Sequence, residues 1–365
     1  MEETLELRQT LSGAVVQLDG LGSVRASAQG ALIVDGAGNA SQWLNLEGGR
    51  LDALAGRVWA NVTTSGVGAG VFEQVRLSWY EPASARFASY EFDKLGGSSA
   101  AVADTMRKAL PRRAEFVLVQ NPRTGANLLV ARDDVDSIQV RTGVANDRVS
   151  VNSCFCTVRI DSSGGDDVID LIDTAGTVFA GDGRDAIRVS SSEASAVSVF
   201  GGPGADVVTW SYAAGVADGG SGNDRIELTS FALVTVRGQA GNDHLDVNAD
   251  GTVDGGDGND YLDVAGGVAA VARGGAGNDF IVYAASIGSV DGGADNDVIS
   301  VTWADEVTVR GGRGDDYISV RHAVRSVIDG GPGRDGIQAY IASSEEATIY
   351  NWDRLDTVRR VAVDF

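Results

Sequence analysis

The chain has 365 residues, enough for two domains or one long solenoid. Acidic residues outnumber basic ones 51 to 29, and the net charge of −22 makes nucleic acid and anionic membrane poor partners. No window approaches a transmembrane span, so membrane insertion is not expected.

The first residues, Met1-Glu-Glu-Thr-Leu-Glu-Leu, hold no basic and apolar run, so a cleaved Sec-type signal is not expected. Residues 1–97 are strand-like and punctuated by glycine, as in Ala14-Val-Val-Gln-Leu, Ala31-Leu-Ile-Val and Val75-Arg-Leu-Ser-Trp-Tyr. Trp43, Trp59 and Trp79 fall here and predict a compact β core. The run from Ser98 to Leu110 opens on serines, brings Ala101, Met106 and Leu110 near one face and stops at Pro111. That pattern predicts a single amphipathic helix, placed to cap the open first coil of a solenoid. Asp136-Ser-Ile-Gln-Val and Asn146-Asp-Arg-Val-Ser-Val then read as degenerate early coils. Cys154 and Cys156 share parity with Val158 and Ile160 and are expected as buried thiols, since i and i+2 on one strand face are poorly placed for a disulfide.

From there one phrase recurs: DGGSGND, RGQAGND, DGGDGND, RGGAGND, DGGADND, RGGRGDD and DGGPGRD, with weaker copies before it. The closing aspartates are Asp167, Asp185, Asp206, Asp224, Asp243, Asp260, Asp279, Asp297, Asp316 and Asp335. Their spacings of 18, 21, 18, 19, 17, 19, 18, 19 and 19 residues define a structural unit rather than a composition bias. Alternating apolar residues follow each phrase, as in Asp260-Tyr-Leu-Asp-Val, and predict a strand burying the second and fourth residues after the aspartate. A second apolar run, such as Val234-Thr-Val236, completes a coil of two strands and two corners. The expected fold is therefore all-β: a parallel β-solenoid over 128–341, preceded by a β-rich domain at 1–97 and the capping helix with its lead-in strand at 98–127. A C-terminal cap occupies 342–365.

The residue before each glycine phrase alternates strictly through Asp218, Arg237, Asp254, Arg273, Asp291, Arg310 and Asp329. Coils lie about 4.8 Å apart, so these positions should stack into a ladder of alternating charge that fixes register. Stacked corner aspartates raise the opposite problem. Two bare carboxylates at that spacing repel by about 3 kcal/mol at an effective dielectric of 20, so the stack needs cations. Hard Ca²⁺ takes six to eight carboxylate and carbonyl oxygens, and Gly-Gly-x-Gly-x-Asp offers both.

These phrases resemble the RTX, or haemolysin-type, calcium-binding repeat family, with its GGxGxDxUx pattern and β-roll. The resemblance implies an RTX-like β-roll whose metal ligands come from all ten closing aspartates. It also implies corner glycines as ligands: Gly202, Gly204, Gly220, Gly222, Gly256, Gly258, Gly275, Gly277, Gly293, Gly312, Gly314, Gly331 and Gly333. The family's usual nine-residue period puts calcium on both edges. Here the intervening corners, such as Asn248-Ala-Asp-Gly and Trp303-Ala-Asp-Glu, lack the motif, so several Ca²⁺ ions are expected in one row along one edge. Type I secretion through an uncleaved C-terminal signal is implied too, giving an extracellular or cell-surface location. A plain C-terminal capping strand explains the tail ending Asp364-Phe365 equally well.

With two histidines, His244 and His322, and no HExxH or G-x-S-x-G, protease and lipase chemistry in its usual forms is excluded. The weak catalytic candidates are Glu227, Asp246 and Asp263, stacked outward beside His244 and Tyr261 in the manner of a polysaccharide lyase or epimerase. Solvated acids are the plainer explanation. The functional expectation is a calcium-binding repeat protein with a structural or adhesive role. A polysaccharide or cell-surface protein is the expected partner, with self-association as in a surface layer or filament the further alternative.

Overall fold

The computed structural model describes residues 135–342, apart from 155, 192–194, 267, 304 and 323–324. Outside that span it describes residues 15–18, 22–26, 31–36, 41–50, 62–68, 71–81, 86–96, 115–121, 123, 127–131, 347–350 and 357–363. Every regular element among them is a strand. The expected helix at 98–110 lies outside the described residues. The chain divides into two compact units, Met1–Phe179 and Ala180–Phe365.

The second unit is a parallel β-solenoid. One sheet stacks Ala196–Pro203, Ala214–Ser221, Val234–Ala240, Gly251–Asp257, Ala269–Ala276, Ile287–Ala294, Glu306–Arg313, Ser326–Asp329 and Ala347–Tyr350 in parallel register. The other stacks the strands that follow each aspartate, from Ala186–Ser190 to Thr357–Val363. Alternation decides which side chains enter the core. Ile226 and Leu228, Leu245 and Val247, Leu262 and Val264, and Ile299 and Val301 are all buried, each the second and fourth residue after its aspartate. At about 1.5–3 kcal/mol per fully buried aliphatic side chain, these columns are the main source of stability. Two larger groups fill the same space and satisfy their polar atoms there. Trp210 Nε1 donates to the Ala213 carbonyl, and Tyr283 Oη donates to the Ala270 carbonyl.

The first unit contains coils of the same kind, and one of them is not legible from the repeat. Ala31–Asp35 pairs in parallel with Ser137–Arg141, and Trp43–Arg50 pairs in parallel with Arg148–Asn152. Ala31–Asp35 and Trp43–Arg50 thus supply the two strands of a solenoid coil, separated by some ninety residues of chain from the coil they stack on. Antiparallel strands come from the intervening segment, with Glu115–Gln120 pairing against Trp43–Arg50 and a meander of Val62–Gly68, Val71–Glu81 and Arg86–Gly96. Trp43, expected in a core, is 43% exposed. Cys154 is buried and Cys156 half-buried, with no disulfide between them. Burial, then the neighbouring Cys156, pushes the Cys154 thiol up to about 12, which leaves it unreactive.

The alternating charges do stack. Asp218, Arg237, Asp254, Arg273, Asp291, Arg310 and Asp329 are successive register partners. Arg237 reaches Asp218 at 3.8 Å, with the arginine half exposed, so the row acts on register more than on total stability.

Candidate metal edge

Along the glycine corners the second unit carries a ladder of nine aspartates, Asp185 to Asp335, each 1–3% exposed. From Asp206 to Asp335 each Oδ1 accepts the backbone N–H of the preceding coil's aspartate, at 2.7 to 3.0 Å. Beside it runs a second, exposed ladder of opposite polarity. There Asn223, Asn242, Asn259, Asn278 and Asn296 each accept, through Oδ1, the N–H of the following coil. The two ladders together satisfy two amides per corner that tight turns otherwise leave open.

The other carboxylate oxygen has no such partner. Oδ2 of Asp206, Asp224, Asp243, Asp260, Asp279, Asp297 and Asp316 is buried with no hydrogen-bond donor. It packs over the first glycine of its own phrase, and for all of these except Asp224 the first-glycine carbonyl of the next coil lies against the same glycine. A Cβ on Gly274 would sit 2.5 Å from the Gly292 carbonyl oxygen and closer still to Asp279 Oδ2. Gly238 and Gly255 show the same convergence of a carboxylate oxygen and a carbonyl oxygen. A carboxylate oxygen buried without a donor in a dry corner is unfavourable unless a proton or a cation joins it.

The electrostatics agree. Burial raises these carboxyls and the N–H bond at Oδ1 opposes it, with neighbouring aspartates adding to the rise in all but Asp243. Asp206 and Asp260 reach about 7, and Asp297 about 8.

Asp147 supplies an internal contrast. It occupies the ladder position of an early coil, accepting Gln42 N–H at 2.5 Å, while its own N–H donates to Asp167 at 2.7 Å. Its corner lacks the glycine phrase, and its second oxygen accepts Gly143 N–H at 3.2 Å. Where the glycines are missing, the chain closes both oxygens itself. Where they are present, one oxygen is left for something else.

Two corners of the opposite edge satisfy their polar groups within the protein. Asp250 accepts the N–H groups of Val268 and Ala269 at 2.6 and 2.8 Å, and Ser230 donates to the Ala213 carbonyl. Exposed aromatics decorate that edge, including a stacked Trp303–His322 pair with centroids 4.2 Å apart.

The corner aspartates therefore come together as the sequence predicts, and the second and third glycines line the same edge. Gly220 and Gly222, for example, take φ of +111° and +128°. The sequence reading missed Asp147 and the first glycine of each phrase. The former lacks the glycine signature, although its place in Asn146-Asp147-Arg-Val-Ser-Val matches the other coils. The first glycine is required by space rather than by φ. Among the described residues no three His, Cys, Asp or Glu side chains gather into a metal-holding group. Any ion here would thus draw heavily on backbone carbonyls, and the orphaned Oδ2 atoms together with those carbonyls are the hard oxygens that Ca²⁺ takes, although the Gly201 and Gly330 carbonyls each also accept a backbone N–H.

The weak catalytic candidates lie on the outward face. Glu227, Asp246 and Asp263 are register partners, and His244, Tyr261 and Phe280 stack beside them at 4.6 and 5.5 Å. Arg225 holds Glu227 in an ion pair at 2.6 Å. Burial, then the neighbouring Asp246, raises the Asp263 carboxyl, with His244 opposing.

Fold and site together define a parallel β-solenoid repeat protein with a buried aspartate ladder. No protein-family model and no curated protein matches the chain, so the likeness to RTX repeats stands on the residues themselves.

Proposed function

We propose that the chain is a secreted or cell-surface repeat protein whose glycine edge takes up calcium, and that the calcium-loaded solenoid serves as a stiff structural or adhesive element. The observation that carries this reading is the row of seven buried Oδ2 atoms without a donor, six of which converge with a carbonyl oxygen on the first glycine of the phrase. A divalent cation between coils would satisfy the Oδ2 atom, take the carbonyl as a further ligand and cancel the repulsion along the ladder. Calcium suits it better than magnesium, which holds its water and demands a small octahedral cage. Resemblance to RTX repeats supports the same ion. Export follows from the chemistry, because cytosolic calcium is too scarce to fill such sites and extracellular calcium is not. Calorimetric titration of the chelator-treated full chain with Ca²⁺, and separately with Mg²⁺, tests it. Uptake of several calcium ions per chain is expected, and no uptake would overturn the reading.

A contact role for the outward face stands second. The His244–Tyr261–Phe280 stack offers flat apolar surface to a polysaccharide or a surface protein, while the Arg225 ion pair makes Glu227 a poor proton carrier. Loss of polysaccharide binding in Tyr261→Ala with turnover absent supports contact. Turnover abolished by Asp246→Asn would instead favour a lyase-like or epimerase-like enzyme. Calcium-induced growth of particle size in scattering would point to a surface-layer or filament subunit.

A further inference from the structure

In the second unit, the sheet that bears the Asp–Arg row turns outward a face of three parallel columns. The row itself is one, and its charges are not all used within the chain. Arg237 pairs with Asp218 at 3.8 Å, whereas Arg273 and Arg310 are exposed and form no ion pair among the described residues. Two residues earlier on each strand, Thr235, Thr252, Val271 and Ser289 are in register and half-buried. Small side chains there keep the middle of the face low enough for a second sheet to approach to about 10 Å.

The third column, two residues earlier again, holds Leu233 and Ile287, which are 73% and 43% exposed. They precede Val234 and Gly288, which are in register through Gly251 and Ala270, so they lie three coils apart in one line. A single exposed leucine needs no explanation. The spacing of these two against the charge row is what matters.

A row that alternates in sign is complementary to its own reversal. A two-fold axis along the strand direction lays a second copy face to face, with coil order reversed and each column against itself. With the axis between the coils of Asp254 and Arg273, Asp254 opposes Arg273 of the second copy, Arg237 opposes Asp291, and Asp218 opposes Arg310. An axis through a coil would instead set acid on acid. The axis between Asp254 and Arg273 also brings Leu233 against Ile287 of the second copy, and no other position does.

We propose that this face is the interface of a two-fold dimer of the chain, centred between Asp254 and Arg273. The face is separate from the glycine edge, so the inference does not rest on the calcium reading. Six coils at about 4.8 Å and a strand width of about 17 Å give roughly 500 Å² per copy. A total of about 1,000 Å² is the lower end for specific interfaces, so a reversible micromolar dimer is expected rather than an obligate one.

Sedimentation equilibrium tests it on the full chain in calcium, at about 0.15 M salt to screen the net charge of −22. The unsubstituted chain should rise with concentration to twice the chain mass and stop there, because a two-fold interface is closed. Leu233→Lys and Ile287→Glu should each be monomeric, with circular dichroism unchanged because both positions are exposed. An equal mixture of the two should recover the dimer, since the new lysine of one chain then meets the new glutamate of the other. Phe280→Lys, exposed on the other sheet, should leave the dimer intact. The inference is overturned by an unsubstituted chain that stays monomeric up to submillimolar concentration, by a dimer that survives both substitutions, or by a mixture that fails to reassociate. A dimer lost in Phe280→Lys and kept in Leu233→Lys would overturn it too, moving the contact to the other sheet.

Discussion

The two oxygens of each corner carboxylate have opposite fates, and that asymmetry has consequences for pH and for substitution. Oδ1 is held by a backbone N–H, while Oδ2 is buried against glycine and a carbonyl. The folded carboxyls of Asp206, Asp260 and Asp297 lie at about 7, 7 and 8 against an ordinary 3.8, burial being the largest cause. The calcium-free folded state then binds more protons than the unfolded chain. Its stabilising contribution is full below about pH 4 and is lost progressively as pH rises from there through the folded values of about 7 to 8. Calcium needs the ionised form, so saturating calcium should remove or reverse that fall. Melting temperatures from pH 4 to 8 in chelator and in calcium check this, and calcium-free stability that climbs with pH would contradict it. Gly274→Ala brings a methyl group against Asp279 Oδ2 and the Gly292 carbonyl and should cost about 3 kcal/mol. Ala276→Gly, exposed two residues on, should stay within about 0.5 kcal/mol by denaturant titration. The aspartates and the second and third glycines were legible because each repeats as a residue type. The first glycine's role was not, because it depends on a carbonyl one coil away.

At the scale of the element, a coil is specified by alternation within its strands and by register between them. Both were legible where the phrase recurs: the second and fourth residues after each aspartate are buried, and the Asp–Arg row aligns coil by coil. Arg273→Asp would put three acids in line with Asp254 and Asp291. It should destabilise by roughly 1 kcal/mol at low salt, with most of the loss disappearing at high salt. Salt-independent destabilisation would mean that Arg273 acts through packing instead. The coil built from Ala31–Asp35 and Trp43–Arg50 was illegible for a physical reason. Its corner has Gln42 where later coils have aspartate, and its stacking partners at 137–152 are remote in sequence. Local periodicity carries no information about which distant strand completes a sheet.

For the molecule as a whole, the ladder makes stability collective. Each carboxylate from Asp206 onward accepts the backbone N–H of the preceding coil's aspartate, so a cation held at one corner would steady those beside it, as expected for a stack whose units contact only adjacent units. Chelation should therefore weaken the second unit broadly rather than at one turn. The most direct measurement is far-UV circular dichroism through a thermal melt of the full chain in chelator, in magnesium and in calcium. A cooperative β signal with a large rise in melting temperature in calcium alone is the expected result. Equal folding and equal melting in all three would mean that protons, not calcium, join the buried oxygens, and the calcium-triggered scaffold would be wrong.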